Sequence, residues 1–106
     1  IAEVIDHVSA LRLKARVQHE VAQYEAAITT LNKAKTAQAA VLARVRQDSP
    51  DETPLQRQVA SAVCLQLGKH YEEQHEGDQA LAAYTEALRY DDSSEDASIA
   101  QARLHL

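Results

Sequence analysis

The sequence predicts an all-α fold, in which antiparallel helix hairpins stack as a fragment of an α-solenoid with about five helices. Composition is the first reason, because the 106 residues include only two Gly and two Pro, and all four aromatic residues are Tyr. Such an Ala-rich chain favours helix over sheet. Periodicity is the second reason, because apolar residues recur every three or four positions, which is the period of a helix with one buried face.

Small and large residues alternate at fixed positions in the second half of the chain. Small side chains let two helices approach closely, and the large side chains beside them fill the gaps. This is the pattern of the tetratricopeptide repeat (TPR), and one such hairpin leaves an apolar flank that a neighbouring repeat must cover. The residues that form the pattern are Leu67, Gly68, Tyr71, Ala80, Tyr84 and Ala87.

The first two helices are predicted from their apolar stripes. The first runs from about Ala2 to His19, with Val4, Val8, Leu11 and Ala15 on one face. A break is expected near residues 20–23. The second runs from about Tyr24 to Gln47, which is unusually long, at roughly 36 Å for a rise of 1.5 Å per residue.

The remaining helices are predicted from their boundaries. Pro50 ends the second helix, and Thr53-Pro54-Leu55-Gln56 predicts the start of the third, with Thr53 as the cap and Gln56 completing a capping box. The third helix continues to about Gln74. A turn at residues 76–78 precedes a fourth helix from about Gln79 to Tyr90, and after a polar connector at 91–96 a fifth begins near Ala97.

The repeats predict four units along the chain. Residues 1–47 form a degenerate TPR hairpin with an extended second helix, 48–53 a linker, 54–94 a well-formed TPR, and 95–106 the truncated start of a further repeat. The degenerate repeat at 8–41 lies 53 residues before the clear one at 61–94. Its packing positions are Ala15, Ala27, Leu31 and Ala34. Because the chain lacks Met and ends inside a predicted helix, we expect it to be an internal piece of a longer protein.

Charge is distributed unevenly along the chain. The net charge is −5, which disfavours a nucleic-acid partner. Residues 11–46 carry seven basic and two acidic residues, whereas residues 47–106 carry four basic and twelve acidic ones. Two differently charged solvated faces, or a bipolar surface that sets register with neighbouring subunits, would both produce this pattern. No apolar run is long enough to insert into a membrane.

No motif predicts catalysis, a cofactor or a metal ion. Cys64, His70 and His75 point in different directions around one helix and cannot converge on a metal. A buried apolar role is expected for Cys64. Two Gly residues are too few for a phosphate-binding loop, so the sequence predicts no enzyme activity and no cofactor.

Six positions on the first helices of the repeats, five charged and one apolar, are candidates for partner binding, because such positions line the concave groove of a TPR array. A groove with both basic and acidic side chains would grip a charged helix or segment of a partner. Charges that only keep the surface hydrated are the alternative. The candidates are Arg12, Arg16, Leu65, Lys69, Glu72 and Glu73.

From Tyr24 onward the chain resembles the tetratricopeptide repeat protein 21 family, the large TPR-rich subunit of intraflagellar transport complex A. The resemblance depends on Ala27-Ile28-Thr29-x-Leu31, on 38–45, on the Pro-bearing linker at 48–54, on Val63-Cys64 and Lys69-His70, and on 100–106. It implies a non-enzymatic scaffold in the cytoplasm and cilium or flagellum. Its partners would be other subunits of that complex, and its role retrograde transport and cargo entry.

A second interpretation remains open beside the scaffold. A stand-alone TPR adaptor would capture a short peptide of a partner or chaperone in its concave groove. Such an adaptor would bind a segment of about ten residues in isolation, and a charge reversal at Lys69 or Arg16 would abolish that binding. Removing a scaffold segment would instead release whole subunits from the complex.

Overall fold

The computed structural model describes residues 2–105, and these residues form five α-helices and no strand. The helices are α1 (Ala2–Glu20), α2 (Tyr24–Asp48), α3 (Thr53–Glu73), α4 (Gly77–Tyr90) and α5 (Glu95–His105), with a short 3₁₀ helix at Pro50–Glu52. The predicted all-α helical-repeat fold is confirmed. Ile1 and Leu106, which belong to the first and last predicted units, lie outside the described residues, as does the side chain of Val4.

The helices form two rows, with α1, α3 and α5 in one and α2 and α4 in the other. Side-chain contacts connect the members of each row: Arg12 of α1 bonds to Gln66 of α3, and Lys35 of α2 pairs with Glu86 of α4. Each helix also packs on the next along the chain. The result is a slab 40 × 30 × 16 Å, only two helices thick.

Helix α2 packs against two other helices. Its 25 residues contact α1 along one side and α3 along another. The core at its C-terminal half joins all three helices, with Val8 from α1, Val41 and Val45 from α2, and Val63 from α3. This part of α2 therefore connects the first hairpin to the second.

The first hairpin turns through a left-handed residue that is not glycine. Ala22 has φ = 63°, and two hydrogen bonds close the end of α1 around it. The backbone N–H of Gln23 donates to the carbonyl of Gln18 at 2.8 Å, and the N–H of Ala22 donates to the carbonyl of His19 at 3.1 Å. These two bonds define a Schellman motif.

The second hairpin repeats that motif. His75 has φ = 60°, the N–H of Glu76 donates to the carbonyl of Tyr71, and the N–H of His75 donates to the carbonyl of Glu72. His75 lies 53 residues after Ala22, the offset by which the sequence pattern relates the two repeats. The backbone turns therefore follow the same register as the side chains.

Two boundaries after α3 differ from the predicted ones. A turn at residues 76–78 is wrong, because Gly77 is the first residue of α4 and the left-handed residue is His75. Helix α5 begins at Glu95 and not near Ala97. Its start follows Ser94, whose hydroxyl accepts a hydrogen bond from the N–H of Ala97 at 3.3 Å, as a capping residue does.

The capping box predicted at the start of α3 is also wrong. Thr53 already has helical angles and no side chain caps the helix, although Pro54 lies in the first turn as expected. The side chain of Gln56 is buried instead and accepts a hydrogen bond from Nε2 of Gln38 at 2.9 Å. The side chain of Gln56 therefore packs against α2 and does not cap α3.

Candidate functional site

The residues expected to pack the helices against one another lie at the helix contacts. Gly68 of α3 faces Tyr84 of α4, while Ala80 packs with Tyr84 and Ala100 of α5. Leu67 contacts α1 and α2 together. Tyr71 is half-buried, and the other nine expected residues are buried: Ala15, Ala27, Leu31, Ala34, Leu67, Gly68, Ala80, Tyr84 and Ala87.

A groove of about 330 Å³ lies between α1 and α3, and four of the six candidate partner-binding residues line it. Arg12 and Arg16 come from α1, one helical turn apart, and Leu65 and Lys69 come from α3 at the same spacing. The full lining is Arg12, Arg16, His19, Ala62, Leu65, Gln66, Lys69 and His70.

The arginines of the groove differ in their surroundings. Arg12 is half-buried, and its Nε donates to Oε1 of Gln66 at 3.1 Å, which fixes the guanidinium against α3. Burial lowers the pKa of Arg12, and the positive charge of Arg16 lowers it further. Arg16 itself is exposed. The groove therefore concentrates positive charge at its α1 wall.

Two histidines close one end of the groove. The rings of His19 and His70 meet edge-on with centroids 4.7 Å apart. Nδ1 of His70 lies 2.9 Å from the backbone carbonyl of Gln66, which can only accept, so this nitrogen carries the proton. The other ring nitrogen, Nε2, is buried and has no hydrogen-bond partner among the described residues.

The two acidic candidates lie in an adjoining depression of about 480 Å³ between α3, α4 and α5. Oε1 of Glu72 accepts hydrogen bonds from the Tyr84 hydroxyl at 2.8 Å and from the Arg103 guanidinium at 2.6 Å. Burial and the Glu72 carboxylate raise the pKa of Tyr84. Glu73 pairs with His19. The acidic pair thus lies outside the lining of the groove, although Glu73 reaches its end through His19, and among the described residues Lys69 alone lines both depressions.

Sequence reasoning missed Gln66 and His70 in the groove and Arg103 beside it. Gln66 lies four residues after Ala62 and three before Lys69, so helical spacing alone placed it on this face. Arg103 belongs to α5, and only the packing of α5 against α3 brings its guanidinium to Glu72. No local pattern indicates that contact.

Within residues 2–105 no three His, Cys, Asp or Glu side chains come together in a way that would hold a metal ion. Cys64 is fully buried beside Ala87 and Ala97, and burial raises the pKa of its thiol to about 12. A thiol with so high a pKa is a poor nucleophile at neutral pH. In the same described range, no helix combines the length and apolarity required to cross a membrane.

The fold is that of a helical-repeat domain, a class that binds other proteins. Its hairpins stack into a slab of two helix rows, and a charged groove runs along one row. The family model "Tetratricopeptide repeat protein 21 forth ARM domain" matches residues 1–88. The chain belongs to the tetratricopeptide repeat protein 21 family, as its sequence resemblance predicts. Armadillo repeats, like TPRs, stack short helices into a superhelix, so the ARM description agrees with the observed fold.

Curated relatives support the same assignment. The chain is 33% identical to human Tetratricopeptide repeat protein 21A over 106 residues, which is all of this chain and 8% of that protein. It is 34% identical to human Tetratricopeptide repeat protein 21B over 94 residues, covering 89% of this chain and 7% of the relative. A match to the 21B protein of Xenopus laevis reaches 41% identity over 64 residues, 60% of this chain and 5% of the relative. The chain therefore spans less than a tenth of each relative.

Proposed function

We propose that this chain is a segment of a non-enzymatic scaffold in the intraflagellar transport A complex, acting in retrograde ciliary transport and in the entry of cargo into cilia. The proposed location is the cytoplasm and the cilium or flagellum, and the proposed partners are the other subunits of that complex. Membership of the tetratricopeptide repeat protein 21 family is the observation that carries this proposal.

An exposed apolar stripe on α1 supports a role inside a larger assembly. Leu13 and Val17 of α1, and Val21 directly after its last residue, are 58%, 51% and 60% exposed. They are spaced four residues apart, on the side opposite the buried residues Val8 and Ala15. Repeat proteins cover such a face with the next repeat. Since the relatives are more than ten times longer than this chain, the adjoining helix of the same polypeptide is the proposed occupant.

A deletion tests the scaffold. Residues 1–106 are removed from the complete polypeptide that carries them, and the complex is purified from ciliated cells. We expect whole subunits to be lost from the purified complex and retrograde movement to fail. A complex with its full set of subunits and normal movement would refute the proposal.

A paired substitution isolates the stripe. Leu13→Asp with Val17→Asp places two charges on it without altering the described core, and Leu55→Asp is the control because Leu55 is equally exposed, at 58%, on α3. We expect the double variant to expose a protease-sensitive boundary before α1, and the control to digest like the wild type. Identical digestion of all three proteins would contradict the proposed occupant.

The peptide adaptor is the second candidate, and the basic groove is the observation that favours it. An adaptor would lose one soluble partner on charge reversal at Arg16 or Lys69, while the subunits of the complex would stay together. The deletion and the charge reversal therefore separate the two candidates.

A further inference from the structure

The arginine and lysine side chains of the α1–α3 groove have no acidic partner within residues 2–105. The ion pairs of this range are Lys35–Glu86, Arg44–Asp48 and Arg103–Glu72, and His19 shares a hydrogen bond with Glu73. Arg12, Arg16 and Lys69 belong to none of them. The nearest acidic residues along α3, Glu72 and Glu73, are already engaged by Arg103 and His19.

This cluster carries an electrostatic cost in the free protein. Like charges one helical turn apart repel each other, and Arg12 and Arg16 stand in that relation on α1. The half-buried guanidinium of Arg12 cannot be fully hydrated, and its lowered pKa reflects this environment. A negatively charged group in the groove would relieve both effects.

The groove also offers apolar contact. Ala62 and Leu65 lie among the charged residues of its lining, so an apolar side chain of a ligand would be covered there. Carboxylates together with an apolar side chain are the chemistry of an acidic peptide.

Nucleic acid and a lipid surface fit this site less well. The chain carries a net charge of −5, and its second half has twelve acidic against four basic residues, so a long polyanion would be repelled outside the groove. A space of about 330 Å³ between two helices admits a few side chains but not a flat bilayer surface.

We propose that the α1–α3 groove binds an acidic peptide segment of a protein partner, with carboxylates against Arg12, Arg16 and Lys69 and an apolar side chain against Leu65. The inference deepens the second candidate function, the peptide adaptor, because it names the kind of segment that the groove would hold. Charge-assisted hydrogen bonds to arginine would orient the segment in the groove.

Selection from a library of random twelve-residue peptides, displayed on phage, tests the proposal with the complete protein as bait. We expect the wild type to enrich sequences in which Asp and Glu flank Leu or Ile. Arg16→Gln with Lys69→Gln should abolish that enrichment, and both positions are exposed, so the fold is retained. Lys14→Gln is the matched control, since Lys14 is an exposed cation on α1 outside the groove lining.

Fluorescence anisotropy then measures the best selected peptide. The double variant should weaken binding by about tenfold or more, and Lys14→Gln should change it by less than about twofold. Enrichment without acidic residues, equal binding by the double variant, or stronger binding of single-stranded RNA or phosphatidylserine vesicles at the same groove would overturn the proposal. If the double variant loses the peptide while the deletion leaves the complex whole, the scaffold fails and the groove assignment stands.

Discussion

Gly68 of α3 lies so close to the ring of Tyr84 of α4 that a Cβ atom at this position would clash with the ring. A Cβ atom on Gly68 would be 2.5 Å from Cε1 and 2.8 Å from Cδ1 of that ring. The ring cannot easily retreat, because Tyr84 is fully buried and its hydroxyl donates to Glu72. The glycine therefore sets the distance between the two helices of the second hairpin.

Gly68→Ala should lower the free energy of unfolding by about 1–2 kcal/mol, because an overpacking cost of about 1–3 kcal/mol exceeds the gain of up to about 1 kcal/mol in helix propensity. Urea denaturation followed by circular dichroism, on the segment with its adjoining repeats, measures this. Gly77→Ala is the control: a Cβ there would meet nothing within 4 Å, and its free energy of unfolding should be unchanged or higher. If the Gly68→Ala variant were as stable as the wild type, the Tyr84 ring would be able to move away without an energetic cost, which would contradict the prediction.

Leu67→Ala should cost about 2–5 kcal/mol, the range for deleting a buried leucine side chain. Leu67 is 2% exposed and packs with Ala15, Ala27 and Leu31, so it joins the first hairpin to the second. The same denaturation measurement applies, with Leu55→Ala as the control on the same helix, because Leu55 is 58% exposed. Equal effects of the two substitutions would contradict the assigned core.

The sequence indicates which residues pack the second hairpin because the spacing of those residues is local. Gly68, Ala80 and Tyr84 lie within seventeen residues of one another, and their spacing alone places them at one helix contact. The buried residues of the first hairpin follow from the same periodicity. Four of the groove residues follow from helical spacing too, since they occupy one face of α1 or of α3.

Long-range contacts determine what the sequence could not predict. By local sequence Gln56 fits a capping box, but in the fold α2 packs beside it and Gln38 donates a hydrogen bond to its side chain. By local sequence Glu72 fits an exposed groove position, but in the fold Tyr84 of α4 and Arg103 of α5 donate hydrogen bonds to its carboxylate. In each case a polar side chain has two plausible partners, and only the packing of distant helices selects one.

The first hairpin turn lies at the break expected near residues 20–23, whereas the second lies about two residues before the predicted turn at 76–78, because its left-handed residue, His75, is not glycine. Ala22 and His75 pay a steric cost at φ near +60° that a glycine would avoid. Ala22→Gly and His75→Gly should each raise the free energy of unfolding by about 0.5–1 kcal/mol, after the larger entropy loss of glycine is subtracted. Ala40→Gly, in the exposed middle of α2, should lower it by about 1 kcal/mol. A loss of stability at both turns would show that no strain is stored there.

Gln38 and Gln56 form a buried polar pair between α2 and α3. Nε2 of Gln38 donates to both the backbone carbonyl and the side-chain oxygen of Gln56, at 3.0 and 2.9 Å. Gln38→Leu should cost about 1–3 kcal/mol, because the Gln56 oxygen is left buried without a donor. Adding Gln56→Leu should recover part of the loss, as measured by a double-mutant cycle. Additive losses in the double variant would argue against a coupled pair.

Cys64 should make the fold sensitive to alkali. Burial raises the pKa of its thiol from 9.0 to about 12, so between these values the unfolded chain loses the thiol proton and the folded protein keeps it. The folded state then binds more protons, and the free energy of unfolding falls as pH rises, by up to about 1.4 kcal/mol per pH unit. Below pH 9 the contribution is constant. Urea denaturation at pH 8, 9, 10 and 11 measures this slope. Cys64→Ala should remove the fall between pH 9 and 10, while the raised pKa values of Tyr84 and Tyr90 still lower the stability of that variant above pH 10. Parallel pH profiles for the wild type and Cys64→Ala would place the thiol in contact with water.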